Sequence, residues 1–324
     1  MEKNMEHEIA AINQQSFKDK IKSYTKHPGS FLLLLLVLVA AVLTVGVLVF
    51  LVGYILIRGI PYLKPSLFAW TYNSDNVSML PAMINTLFMT VLALVLSVPF
   101  GVGAAIYLVE YAKKGNKLVG IIRVTAETLS GIPSIIYGLF GMLFFVTALK
   151  WGYSMMAGAA TLAIMVLPVI MRTTEEALLC VPDSFREGSF GLGAGKLRTI
   201  FKIVLPSAIP GILSGIILAI GRIVGETAAL IYTSGTVANL AGFFDSGRTL
   251  AIHMYSLSRE GMHTNEAYAT AVVLLVVVLI INGVSSLIAK NLKRRNSNSA
   301  GMRKTWQKNL KFQIWIYIMV IFTH

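Results

Sequence analysis

Six stretches of this chain are predominantly apolar, roughly Phe31 to Ile57, Ile84 to Val109, Leu118 to Leu149, Tyr153 to Met171, Ser207 to Tyr232 and Ala267 to Ala289, and polar segments rich in Lys and Arg separate them. An apolar run of about 20 residues is long enough to cross a bilayer as a helix. Lipid offers the backbone no hydrogen-bond partners, so a spanning segment must satisfy its own N–H and C=O groups, as a helix does and an open sheet does not. The pattern predicts an all-α, polytopic membrane protein with six transmembrane helices. The third stretch is too long for one straight span, and Gly131-Ile132-Pro133-Ser134 interrupts it. A lead-in helix followed by a broken or kinked span is expected there.

The basic residues give the orientation. Lys3, Lys18, Lys20, Lys22 and Lys26 precede the first span, and Lys113, Lys114, Lys117 and Arg123 follow the second. Arg172, Arg186, Lys196, Arg198 and Lys202 follow the fourth, and Lys290, Lys293, Arg294 and Arg295 follow the sixth. The other side carries Arg58, Lys64, Lys150, Arg248 and Arg259. The richer side is cytoplasmic by the positive-inside rule, so both termini face the cytoplasm. The organisation expected is a cytoplasmic tail over 1–30, a six-helix permease domain over 31–296 with a cytoplasmic loop at 172–206, and an atypical tail over 297–324.

Hydrophobic residues make up 56% of the chain and charged ones 13%, a balance foreign to soluble domains. The net charge of +13 flanks the apolar runs, which membrane orientation alone demands, so it implies contact with membrane lipid and not with nucleic acid. The run from Phe31 is too long for a signal-peptide core and reads as a mature span. Cys180 is the single cysteine, and the five histidines are scattered, which excludes an internal disulfide and offers no metal cage. No cofactor is implied, and no nucleophile–base pair suggests an enzyme.

The polar loop between the fourth and fifth spans carries Glu187-Gly188-Ser189, then Gly193, then Ile203-Val204-Leu205-Pro206. This spacing resembles the E-A-A, three residues, G, nine residues, I-x-L-P loop of ATP-binding-cassette import permeases, with Gly188 and Ser189 in place of the two alanines. Physically it suits a short helix opened by Pro182-Asp183-Ser184 and closed by Gly193 or Gly195 in a left-handed cap, with Phe185 and Phe190 as apolar knobs. The bland alternative is an ordinary amphipathic loop. Gly191-Leu192-Gly193-Ala194-Gly195-Lys196 looks like a phosphate-cradling loop but has Phe190 and Leu197 where such a loop needs Gly and Ser or Thr. ATP hydrolysis is therefore expected on another subunit.

In the fifth span, Arg222 and Glu226 are four residues apart, a spacing that puts a cation and a carboxylate on one face of a helix. Each costs about 2.5–3.5 kcal/mol near a bilayer centre, so an interior role is expected, in the translocation pathway or as a structural ion pair. Gly211 with Gly215, and Gly221 with Gly225, permit close helix approach, within the chain or at a dimer seam. Arg172 and Glu127 lie near span ends, where snorkelling is the ordinary explanation.

Three further stretches, Ala126 to Phe140, Gly221 to Ala228 and Gly247 to Tyr255, extend the resemblance to phosphate-import permeases of the binding-protein-dependent class, over most of the chain from the first span to about Arg295. The resemblance implies a heterodimer with a homologous second permease subunit, two copies of a cytoplasmic ATP-binding subunit, and an extracytoplasmic phosphate-binding protein that delivers inorganic phosphate. It implies a plasma (inner) membrane location and a substrate pathway involving Arg222, Glu226 and Arg172. Glu187, Gly188, Ser189, Gly193, Ile203, Leu205 and Pro206 are implied to couple to the ATPase. A permease for another oxyanion, such as sulfate or molybdate, predicts the same machinery. A self-contained secondary carrier or channel predicts inverted repeats and gives no reason for the Glu187 loop. From about Ser297 the chain departs from the resemblance. That tail is expected to be a reading-frame artefact or a short interfacial amphipathic segment, since Ile314 to Phe322 is too short for a span.

Overall fold

A computed structural model describes residues 28–113 and 115–297; the expectations for the basic N-terminal tail, Lys114 and the tail beyond Ser297 lie outside the described residues. The described residues are helical with no strand. Two compact units emerge, one ending at Tyr54 and the other beginning at Ile55. The first unit is most of helix α1 (Pro28–Gly59), which is apolar on every face, as a membrane-spanning helix should be.

In the second unit, α2 (Leu80–Ile106), α5 (Met155–Leu179), α8 (Leu205–Gly225) and α11 (Thr264–Ser297) are the long helices. Between α2 and α5 come α3 (Lys117–Ser130) and α4 (Ser134–Gly141), the latter prolonged by a wider π-type turn over Met142–Ala148. The interruption expected in the third stretch is present, and the two pieces meet at 101°. Pro133 lacks an amide hydrogen and disfavours helix in the residue before it, so the chain leaves helical geometry there and restarts at Ser134. Tyr137 ties the break together by donating from its hydroxyl to the Leu129 carbonyl at 2.7 Å.

The fifth span differs from its expected bounds of Ser207 to Tyr232. Helix begins at Lys196, as the single turn α7 (Lys196–Thr199), runs through a π-type turn over Ile200–Val204 into α8, and stops at Gly225. Glu226 is extended, and a separate turn, α9 (Ala228–Ile231), follows. Arg222 and Glu226 therefore do not share a helix face. Two more short helices are α6 (Asp183–Gly191), between α5 and α7, and α10 (Leu250–Glu260), between α9 and α11; tighter turns at Ile60–Tyr62 and Pro65–Phe68 and a π-type turn at Tyr107–Tyr111 also occur.

The core is centred on α5, whose Leu162, Met165, Val166 and Ile170 are fully buried against Met89 of α2 and Ile223 of α8. A methyl group added at Gly211 would meet Ala177, and one at Gly215 would strike Thr173. These glycines thus serve close packing within the chain. The contacts also fix an antiparallel register between α5 and α8 that, carried onward, brings Arg222 level with Val166, halfway along α5.

Candidate functional site

Three layers of polar side chains stand at different depths of the bundle. The cytoplasmic layer is built around α6. Its C-terminus closes as expected: Gly193 takes φ of 79° and donates to the Phe190 carbonyl at 2.9 Å, while Ala194 donates to Ser189 at 3.1 Å. Glu187, Gly188 and Phe190 are exposed, and Leu192 is 91% exposed, so it joins Phe190 as an outward apolar knob. Phe185, expected to be a knob, packs partly buried against the core instead. Ser189 also points inward, its hydroxyl 2.8 Å from that of Thr199. Only a small residue fits between α6 and α7 there. Ile203, Leu205 and Pro206 are half-buried where α7 passes into α8. A groove of about 300 Å³ runs beside them, lined by Leu192, Gly193, Arg198 and Lys202.

Arg186, which sequence reasoning counted only as an orienting charge, anchors this layer. Its guanidinium donates to Glu110 Oε1 at 2.8 and 3.1 Å, to Asp183 at 3.1 Å, and to the Leu178 and Val181 carbonyls at 3.0 and 2.8 Å. The side chains of Arg186 and Glu110 are only 14% and 8% exposed. One residue thus ties α6 to the ends of two long helices. Arg123 pairs with Glu175 at 2.5 Å, which fastens α3 to α5. Arg172 pairs with Glu176 at 3.4 Å and Glu127 at 3.6 Å on an exposed surface, far in sequence from its expected pathway partners and joined to neither.

The middle layer lies where both helix breaks meet. α9 packs on α4, where a methyl group at Gly138 would come 2.8 Å from Ala229 Cα. Glu226 accepts from the Ala229 amide at 3.1 Å, so this carboxylate starts the next helix and does not hold Arg222. Arg222 stands in the last turn of α8, where the helix dipole favours a cation, and its charge reaches Tyr137. Among the described residues it makes no ion pair. Gly221 and Gly225 beside it have nothing within 4 Å of an added methyl group. The result is a half-buried cation, level with the middle of the bundle, on a flank this chain leaves open.

The outward layer is a folded cap built from the segment between Thr233 and Glu266. Buried Asn85 donates to the Asn239 and Arg248 carbonyls at 2.9 and 3.2 Å and accepts from Ala241 at 3.1 Å. Thr86 accepts from the Leu250 amide at 2.8 Å. His253 is wholly buried in α10, outside the spanning helices. Burial first, and then the Arg248 charge, lower its pKa to about 3. An unfolded histidine titrates near 6.5, so below about pH 6.5 the unfolded chain binds a proton that the folded chain refuses. Stability is complete above that pH and falls as pH drops towards 3, by about 2 kcal/mol at pH 5. Thermal unfolding followed from neutral pH to pH 5 should show Tm falling, and His253→Gln should flatten that dependence.

Residues 97–298 match the family described as binding-protein-dependent transport system inner membrane component. The chain belongs to that family. This inner membrane component is 35% identical over 262 residues to the probable ABC transporter permease protein YqgI of Bacillus subtilis, covering 75% of this chain and 88% of that one. It is 37% identical over 218 residues to the phosphate transport system permease protein PstA 1 of Mycobacterium tuberculosis, covering 66% and 71%. The PstA protein of Haemophilus influenzae is 32% identical over 241 residues, covering 73% and 85%. Among solved structures, a bacterial alginate ABC transporter superposes with a TM-score of 0.62 at 16% identity, over 85% of this chain and 98% of that chain. The MetNI methionine transporter superposes at 0.52 and 21%, over 65% and 93%. These structures establish the fold of an ABC importer permease. As a member of the family, the protein is a multi-pass inner membrane protein.

Proposed function

We propose that this chain is the transmembrane permease subunit of an ATP-driven inorganic phosphate importer, forming half of its translocation pathway. The observation that carries the reading is Arg222: an arginine with no carboxylate partner among the described residues, halfway along the bundle, at a helix end on an open flank. A guanidinium placed so lowers the barrier to an oxyanion and presents a planar fork suited to its oxygens. The relatives named as phosphate transport permeases favour phosphate among oxyanions. The open flank beside Gly221 and Gly225 suits a homologous second permease subunit, which together with this chain would enclose the path.

In this reading two ATP-binding subunits engage the exposed Glu187, Gly188, Phe190 and Leu192, and a phosphate-binding protein docks on the outward cap. Closure of the ATPases moves α6, and with it α7 and α8, so the bundle alternates between inward and outward access. Gly193 permits the turn that presents α6, and Ile203, Leu205 and Pro206 carry its motion into α8. Glu226 keeps α9 in place and balances the charge of the region. Arg172, held at the surface by Glu127 and Glu176, serves the fit of α3 to α5 in this scheme.

Radiolabelled phosphate uptake in a strain lacking the permease gene tests the proposal. The chain should restore uptake, arsenate should compete and sulfate should not, and Gly193→Asp should abolish the restoration. Restored sulfate uptake with no phosphate uptake would overturn the phosphate assignment.

A further inference from the structure

On the outward side a pocket of about 380 Å³ lies among Ile231, Arg248, Tyr255, Ser256, Arg259 and Glu260. Arg248 is 4% exposed, and its Nε and Nη2 have no hydrogen-bond acceptor among the described residues. One face of its guanidinium rests on the Tyr72 ring, 4.4 Å from the centroid. Its backbone is fixed from both sides, donating to Val237 at 2.9 Å and accepting from Asn85 at 3.2 Å. A buried charge with idle donors is costly unless a ligand supplies acceptors.

The rest of the lining fits an anion. Arg259 adds a second cation on the rim, and Ser256 a hydroxyl donor. Glu260 is the one carboxylate among these lining residues, and no ion pair joins it to either arginine. Two cations against one carboxylate leave an excess of one positive charge, enough to attract an anion and weak enough to release it. Ile231 ends α9, the turn that Glu226 caps, so the pocket borders the broken segment below which Arg222 stands.

We propose that this pocket is a receiving site for a tetrahedral oxyanion on the outward side, one step before Arg222. The inference rests on the phosphate-import reading and adds to it a site ahead of the mid-bundle arginine. Arg248 provides a nearly buried positive charge in the pocket lining and Arg259 the outer attraction.

The site can be tested in the assembled transporter, purified in detergent without its binding protein. Cys180→Ser removes the native thiol, and Ser256→Cys places a new one in the pocket. Inorganic phosphate at about 10 mM should slow modification by an anionic methanethiosulfonate reagent about fivefold, while chloride at equal ionic strength should not. Arg259→Gln should remove the protection without unfolding the complex, since Arg259 is exposed. Equal protection by chloride, or none by phosphate, would overturn the site. Protection seen only in phosphatidylglycerol nanodiscs, without free phosphate, would assign the occupant to a lipid headgroup and overturn the receiving role. If the variants still import phosphate but show no protection, the inference fails and the import reading stands. If the unaltered transporter imports no phosphate, the import reading itself fails.

Discussion

Replacing Arg222 with Gln should lower phosphate uptake by about 100-fold, the loss of roughly 3 kcal/mol of charged hydrogen bonding as the anion passes. Assembly should be unaffected, because Arg222 makes no ion pair among the described residues and its removal orphans no carboxylate. Arg222→Lys keeps the charge but not the planar fork and should lose about tenfold. Glu226→Gln is expected to be milder, since its side-chain oxygen can still accept from Ala229. Glu226→Ala removes that cap, at about 1 kcal/mol of local stability. Uptake measured beside complex recovery separates these cases. Normal uptake by Arg222→Gln would sink the pathway role.

The second large effect is expected at Arg186, which grips three carboxyl or carbonyl groups besides Glu110. Arg186→Ala leaves the nearly buried Glu110 carboxylate unpaired, and breaking such a pair costs about 3–5 kcal/mol. The released α6 should then bind the ATPase poorly, and transport should fail although the spanning helices remain inserted. The double variant Glu110→Gln with Arg186→Gln removes the lone charge and should recover part of the stability but not the coupling. Thermal unfolding together with ATPase co-purification checks both statements. An Arg186→Ala protein that unfolds at the normal temperature and keeps its ATPase would refute this anchor.

The apolar runs made the helices legible because lipid imposes one rule on every residue of a span. Gly131-Ile132-Pro133 announced the first break, since proline chemistry is local. The second break, at Gly225, was hidden. No proline lies between Gly211 and Tyr232, and only packing of Ala229 on Gly138 and the cap from Glu226 favour a stop. The same spacing that predicts a shared face for Arg222 and Glu226 assumes the helix continues. Among the loop residues, the turn at Gly193 was readable from glycine's tolerance of positive φ. The partner of Ser189 was not, because Thr199 reaches it through tertiary folding. Arg186 and Glu110 are 76 positions apart, and Arg248 and Tyr72 are farther still, so no periodicity links them.

The tight contacts of Gly211 and Gly215 with α5 have a mechanical consequence. Packed interiors yield little, so these glycines make a fulcrum on which the rod from Lys196 to Gly225 can rock. At 1.5 Å per residue the cytoplasmic arm is about 26 Å long and the arm reaching Arg222 about 14 Å. A push on the Lys196 end would therefore reach Arg222 at roughly half its amplitude and roughly twice its force. In the proposed phosphate-import reading, arms so unequal would trade travel for force at the cation that meets the anion.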